Sequence, residues 1–205
     1  MLAASSLGLL TLIACAQPPK ISVTPECSSG SDDDYYLPLT LFATSHDDGG
    51  RARRTYSADL RSASEPPLSC GPTPFDEAYR LIEAHAFSRP WIVRVSASAR
   101  GYQLLGVTLT GPFDGPLEVG RRQNKTVSLA EWKQLQTALA QADFWFSPPH
   151  RRPTLPHMDG MSWMLEGRRG SEYHAILREP GQESAFDHLA DLVLETAGLR
   201  QASKF

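Results

Sequence analysis

Apolar residues recur at helical spacing in three segments of the chain. The first segment spans residues 73–86, with Thr73 as a candidate N-cap and Pro74 suited to the first turn. The second spans residues 129–142 and follows the capping-box sequence Ser128-Leu129-Ala130-Glu131. The third spans residues 184–197 and stops before Gly198, a typical helix C-cap residue. Each segment is therefore predicted to form an amphipathic helix.

Strand-like segments lie between these helices and come in pairs joined by short turns. Residues 91–96 and 102–109 flank the turn Ala99-Arg100-Gly101, and residues 117–127 follow as a third strand. Residues 162–167 and 172–178 form a second pair around a basic, glycine-containing turn. Strands that pair as hairpins favour an antiparallel sheet over a parallel one. The predicted fold class is α+β, an antiparallel sheet of hairpins with about three helices packed on one face.

The pattern also divides the chain into segments. Residues 71–200 are predicted to be the core domain. Residues 35–70 contain two strand-like stretches around a turn cluster at 46–51, which indicates a hairpin arm. Residues 15–34 are rich in Pro, Ser and Asp and are predicted to be a tether that cannot bury enough apolar surface to fold alone.

Residues 1–14 are predicted to be a signal peptide. Residues 2–14 carry no charge and form an apolar run too short for a permanent membrane-spanning helix. The run ends in Leu12-Ile13-Ala14-Cys15, which resembles the bacterial lipobox. The resemblance implies cleavage before Cys15 and its lipidation with acyl chains such as palmitate. Ala16 in the next position implies an outer-membrane lipoprotein facing the periplasm. The alternative is ordinary cleavage after Ala16, which would give a soluble periplasmic or secreted protein.

The three cysteines fit this compartment. If Cys15 carries lipid, Cys27 and Cys70 remain as an even pair in an oxidising environment, and we expect a disulfide between them. It would close the predicted arm and contribute about 3–4 kcal/mol in the chain-entropy view.

Composition narrows the function classes. Apolar residues make up 41% of the chain and its net charge is −3, so the domain is globular and has no general attraction to nucleic acid. We expect a membrane contact through the lipid anchor, a protein partner in the envelope, and no cofactor.

Residues 129–199 resemble an uncharacterised bacterial domain to which no activity is attached. The resemblance covers about a third of the chain and rests on short motifs: Asp143-Phe144-Trp145, Asp159-Gly160 with Trp163, Leu165-Glu166-Gly167, Tyr173-His174 and Ala197-Gly198-Leu199. It implies a folded unit and nothing about mechanism.

Two groups of residues carry side chains that are typical of catalytic or metal sites. Glu166 and His174 lie on the two strands of the second hairpin, where a carboxylate beside an imidazole could act in acid–base catalysis or simply fix the register. His150, His157 and Asp159 have zinc-ligand chemistry, but their spacing matches no known ligand motif. No nucleophile elbow or phosphate loop is present in the sequence.

A surface that binds another protein is indicated by different residues, namely aromatic side chains next to positively charged ones. Phe144, Trp145 and Phe146 are consecutive, so their side chains cannot all point into the core. Two basic pairs, Arg151-Arg152 and Arg168-Arg169, follow them in the sequence. We therefore expect a non-enzymatic envelope lipoprotein that binds another protein, as an accessory subunit or an immunity-type inhibitor. The alternatives are an envelope hydrolase using Glu166 and His174 or a metal, and a binder of glycans or lipid head groups.

Overall fold

A computed structural model describes residues 36–42, 49–85, 88–112, 115, 117–150, 160–181 and 183–200. One six-stranded antiparallel sheet organises these residues, in the order β4-β3-β2-β1-β5-β6. The strands are Glu77–His85 (β1), Trp91–Ser98 (β2), Gly101–Thr110 (β3), Glu118–Val127 (β4), Met161–Arg169 (β5) and Glu172–Arg178 (β6). The helices are a 3-10 helix at Leu39–Phe42 and three α-helices, Gly49–Ser62 (α1), Leu129–Gln141 (α2) and Ser184–Thr196 (α3). The α+β class predicted from the hairpins is confirmed.

The sheet is covered on both faces and so separates two apolar cores. One core joins α2 and α3 to side chains such as Tyr79 and Leu165, and we call this side of the sheet the C-terminal face. The other core joins the 3-10 helix and α1 to side chains such as Ile82 and Val107, and we call it the N-terminal face. The prediction that about three helices share one face is therefore wrong, because α1 lies across the sheet from α2 and α3.

The first predicted helix is also wrong, since residues 77–85 form β1 at the centre of the sheet, hydrogen-bonded to both β2 and β5. Its residues from Ala78 to Glu83 are all buried. A strand buried on both faces lacks the apolar–polar alternation of a surface strand, so Leu81 and Ile82 fitted a helical pattern equally well.

Where the structure describes residues 35–70, the predicted hairpin arm is wrong, because Leu39–Phe42 form the 3-10 helix and Gly49–Ser62 form α1. Its second strand lies inside α1, where Tyr56 and Leu60 are buried one helical turn apart and pack on the N-terminal face. Helical spacing and the sheet surface beneath it outweigh the weak local strand pattern. Cys27 lies outside the described residues, so its disulfide with Cys70 stays a prediction.

The predictions for α2 and α3 are confirmed. At the start of α2, the amide of Glu131 donates to the Ser128 hydroxyl (3.2 Å), and the amide of Ser128 donates to the Glu131 carboxylate (2.7 Å). Hydrogen bonds from Lys125 and Ser128 lower the pKa of Glu131 to about 2. At the end of α3, Gly198 adopts a φ of 65°, as expected of a glycine that ends a helix. Among the residues described, none of the helices is long and apolar enough to cross a bilayer.

Candidate functional site

The predicted Glu166–His174 dyad is not formed. Arg169 pairs with Glu172 across a two-residue turn, and this register places Glu166 opposite Ala175 and His174 opposite Gly167. Because successive residues of a strand point to opposite faces, the two side chains lie on opposite sides of the sheet. Both are buried, and each has separate structural partners.

Glu166 belongs to a buried ion-pair network on the N-terminal face. Its carboxylate accepts hydrogen bonds from Arg80 at 2.6 and 2.8 Å and from the Tyr173 hydroxyl at 3.1 Å. Arg80 also donates to Glu65 (3.1 Å), and Glu65 accepts a further bond from Arg94 (2.9 Å). The network therefore pairs two carboxylates with two guanidinium groups and is electrically balanced.

Burial and pairing act against each other on these groups. Burial raises the pKa of Glu166, and the charge of Arg80 opposes that rise. Burial alone would lower the pKa of Arg80, but the charges of Glu166 and Glu65 raise it overall. Each charge depends on the other for compensation, so the network fixes positions and leaves no group poised for proton transfer.

The end of α1 delivers Glu65 to this network. Ser64 adopts a φ of 53°, the amide of Ser64 donates to the Arg61 carbonyl, and the amide of Glu65 donates to the Leu60 carbonyl. This is a Schellman ending with a non-glycine residue in the left-handed position. It reverses the chain direction and brings Glu65 beneath β1 and β2.

His174 lies on the C-terminal face among aromatic rings. Its ring centroid is 5.2 Å from that of Phe144 and 6.4 Å from that of Trp145, and its Nε2 lies 2.9 Å from the Ser147 carbonyl oxygen. These contacts assign it to packing around Trp145.

Trp145 is half-buried and is held from several sides. Its ring makes edge contacts with Tyr79 (6.1 Å between centroids) and Phe144 (5.1 Å), and the Arg169 guanidinium carbon lies 4.9 Å from its ring centre. Arg169 also forms an ion pair with Glu172 (3.0 Å). The structure thus brings together two of the predicted partner-binding residues, Trp145 and Arg169. We call Trp145, Phe146, Arg169 and Glu172 the Trp145 patch.

Two local features of the chain build this patch. After α2, Asp143 adopts a φ of 49° and the amide of Phe144 donates to the Leu139 carbonyl, a second Schellman ending. Phe144 is then fully buried, whereas Trp145 and Phe146 are half-buried. Below them, Gly167 has no side chain, and a Cβ there would lie 2.7 Å from Tyr79 and 2.8 Å from Phe144. The motifs Asp143-Phe144-Trp145 and Leu165-Glu166-Gly167 therefore meet at one place.

Of the other predicted partner-binding residues, the structure describes only Arg168, which does not join the patch. Arg168 points to the N-terminal face, where it donates to the carbonyls of Leu68 (3.3 Å) and Gly71 (2.7 Å). Arg151 and Arg152 lie outside the described residues.

The metal candidates are only partly described. His150 forms an isolated bridge with Leu177 beside β6, and His157 and Asp159 lie outside the described residues. Within the part of the chain that the structure describes, no three His, Cys, Asp or Glu residues are grouped so that they could hold a metal ion.

One carboxylate–imidazole pair was missed by the sequence reasoning. Glu83 is buried near the end of β1, its carboxylate lies 2.6 Å from His85 Nε2, and it accepts a hydrogen bond from the Trp163 indole (3.1 Å). Residues two positions apart lie on the same face of a strand but not of a helix. Because residues 73–86 were predicted to be a helix, Glu83 and His85 were not expected to meet.

No protein-family model matches the sequence, and no curated protein matches it. The lipobox at Leu12-Cys15 and the domain resemblance over residues 129–199 therefore remain predictions.

Proposed function

We propose that the protein is an exported lipoprotein, anchored through Cys15 at the outer membrane and facing the periplasm, whose folded domain binds another envelope protein. Binding, not catalysis, is its activity, either as an accessory subunit or as an immunity-type inhibitor. The Trp145 patch is the surface that we assign to the partner.

The observation that carries this proposal is the fixed position of the Trp145 side chain. Tyr79, Phe144 and His174 hold one part of the ring, and Arg169 lies over it. Tryptophan and arginine are the residues most enriched at energetic hot spots of protein interfaces. A side chain that is already immobilised loses little conformational entropy on binding, which favours affinity.

Charge at the edge of the patch supports the same assignment. The Arg169 side chain is 45% exposed and that of Glu172 is 43% exposed, so their ion pair contributes little to folding. A partner protein can therefore replace the Arg169–Glu172 ion pair with an ion pair of its own at a small cost in free energy. Such exchangeable charges are typical of the polar rim around an aromatic residue at the centre of an interface.

The anchoring part of the proposal rests on the sequence. An apolar leader, the motif Leu12-Ile13-Ala14-Cys15 and the even pair Cys27 and Cys70 all agree with export into an oxidising compartment. Several acyl chains on one cysteine would hold the domain firmly at a lipid surface.

Site-specific photocrosslinking in living cells tests the partner surface. A photoreactive residue at Ser171, in the turn beside Arg169, should give one discrete protein adduct, and the variant Arg169→Glu should abolish it. The control position is Val119 in β4, at the opposite edge of the sheet, where no adduct is expected. A matched variant, Arg121→Glu in β4, should leave the Ser171 adduct unchanged. Equal adducts from both positions, or none from Ser171, would contradict the proposal.

A further inference from the structure

A cavity of about 670 Å³ opens on the N-terminal face, across the sheet from the Trp145 patch. Its floor is the part of β2, β3 and β4 that carries Ser96, Gln103 and Asn124, and its wall is the loop before β1 with Phe75 and Asp76. The volume lies within the range of small-molecule binding sites.

Four of the ten residues that line this cavity, Ser96, Ser98, Gln103 and Asn124, carry uncharged hydrogen-bonding side chains. Gln103 and Asn124 are exposed, and neither amide is hydrogen-bonded to another group in the described part of the chain. Each amide offers two N–H donors and a carbonyl acceptor, and the nearby hydroxyls of Ser96 and Ser98 can both donate and accept. Such a lining suits a ligand whose groups also both donate and accept.

The charges at the cavity compensate one another. Arg94 is already paired with Glu65, which accepts from its Nε (2.9 Å) and its Nη2 (3.3 Å). The remaining charged groups, Arg100 and Asp76, are exposed and of opposite sign. The cavity therefore has no net charge to attract an anion or a cation.

Arg94 is nevertheless a rigid donor. Glu65 and Ser96 engage three of its five N–H groups, and its guanidinium lies 4.2 Å from the centre of the Phe75 ring. The buried pairing of Glu65 with Arg80 holds this arrangement from behind. Arg94 and Phe75 are thus fixed at the cavity wall, and two N–H groups of Arg94 are not engaged by Glu65 or Ser96.

We propose that this cavity binds a neutral oligosaccharide. Sugar hydroxyls act as both donors and acceptors and so match the amides, the serine hydroxyls and the fixed guanidinium. Phe75, which lines the cavity, adds apolar surface for a sugar ring, and an uncharged ligand fits the balanced charges. The site is independent of the Trp145 patch because it lies on the other face of the sheet.

Isothermal titration of the purified full-length protein tests the assignment, with neutral tetrasaccharides of glucose and of N-acetylglucosamine as probes. We expect saturable binding of at least one of them, with a Kd that does not change between low and high salt. The double variant Gln103→Ala/Asn124→Ala should weaken binding by about tenfold or more. The matched control Gln134→Ala, which removes an exposed amide from α2, should have no effect.

Three results would overturn the inference. They are no binding of any neutral tetrasaccharide, binding that the double variant does not weaken, or displacement of the sugar by an acidic tetrapeptide in a salt-dependent way. Urea unfolding of the double variant serves as the folding control, and both substituted positions are exposed. The Ser171 crosslink should survive the double variant, so failure of the sugar site and failure of the proposed partner surface are distinguishable.

Discussion

The Nη2 atom of Arg80 lies 2.6 Å from Oε1 of Glu166, and neither side chain has any exposed surface. These two residues are neighbours in the register of β1 and β5, at the middle of the sheet. An ion pair removed from water depends on its partners for stability, since removal of one charge leaves the other uncompensated.

Glu166→Gln is therefore expected to lower the free energy of unfolding by about 3–5 kcal/mol. The matched control is Glu172→Gln, which removes a carboxylate from a surface ion pair and should cost less than about 1 kcal/mol. The double variant Arg80→Met/Glu166→Leu should recover part of the loss, because no buried charge is then left alone. Urea titration followed by circular dichroism measures all three. Equal effects of Glu166→Gln and Glu172→Gln would contradict this account.

Asp59 predicts how stability depends on pH. This α1 residue is 6% exposed, and burial raises the pKa of its carboxyl to about 7, partly opposed by the charge of Arg89. Between the unfolded pKa of about 4 and the folded pKa of about 7, the folded state holds the proton more tightly than the unfolded state. Stability should therefore fall as pH rises through this window, by a few kcal/mol in all, and then level off.

The variant Asp59→Asn should flatten this dependence and make the protein more stable above pH ~7. Unfolding in urea at a series of pH values provides the test. Asp143→Asn is the control, because Asp143 is exposed and asparagine tolerates its left-handed conformation. An Asp59→Asn variant whose pH profile still falls through the window would show that another group is responsible.

Gly167→Ala should destabilise the fold where the two motifs meet. The added methyl group would lie within 3 Å of the rings of Tyr79 and Phe144, both buried, so the rings must move at a cost of about 1–3 kcal/mol. Gly106→Ala is a matched control in β3, where the new methyl would lie no closer than 3.1 Å to its nearest neighbour, the side chain of Gln123. Thermal unfolding of the two variants should show a lower Tm for Gly167→Ala only. The same Tm for both would mean that the rings have room to adjust.

The capping box gives a local prediction. Ser128→Ala removes the acceptor for the Glu131 amide and should cost about 1 kcal/mol of stability. Thr137→Ala, in the exposed middle of the same helix, should be neutral or slightly stabilising because alanine has the higher helix propensity. Urea unfolding of the Ser128→Ala and Thr137→Ala variants provides the test. A larger loss of stability in Thr137→Ala than in Ser128→Ala would contradict the prediction.

Mass spectrometry of the protein isolated from its native cells tests the anchor. The expected product begins at an acylated Cys15 and contains a Cys27–Cys70 disulfide. Cys15→Ser should leave the chain unacylated and shift it from the membrane fraction. An intact Met1 with all three thiols free would contradict the export argument and the compartment assigned to the partner.

Several elements follow directly from the sequence because their signals are local. The hairpin β2–β3 has a strand-like segment on either side of a turn, and α2 begins with a capping box. Each signal lies within a few residues of the structure that it predicts. The partial exposure of the aromatic run at Trp145 was predictable in the same way, since consecutive side chains cannot all point inward.

The tertiary structure alone decided the rest. Residues 77–85 became a strand because β2 and β5 flank them, and periodicity does not distinguish a strand buried on both faces from a buried helix. A two-residue turn set the register that separated Glu166 from His174, and a shift of one residue would have put both side chains on the same face. The partners of Arg80 are Glu65 and Glu166, which are distant in sequence. The sequence by itself determined α2, α3, the hairpin strands and the fold class, whereas strand register and long-range packing determined the other elements and which side chains meet.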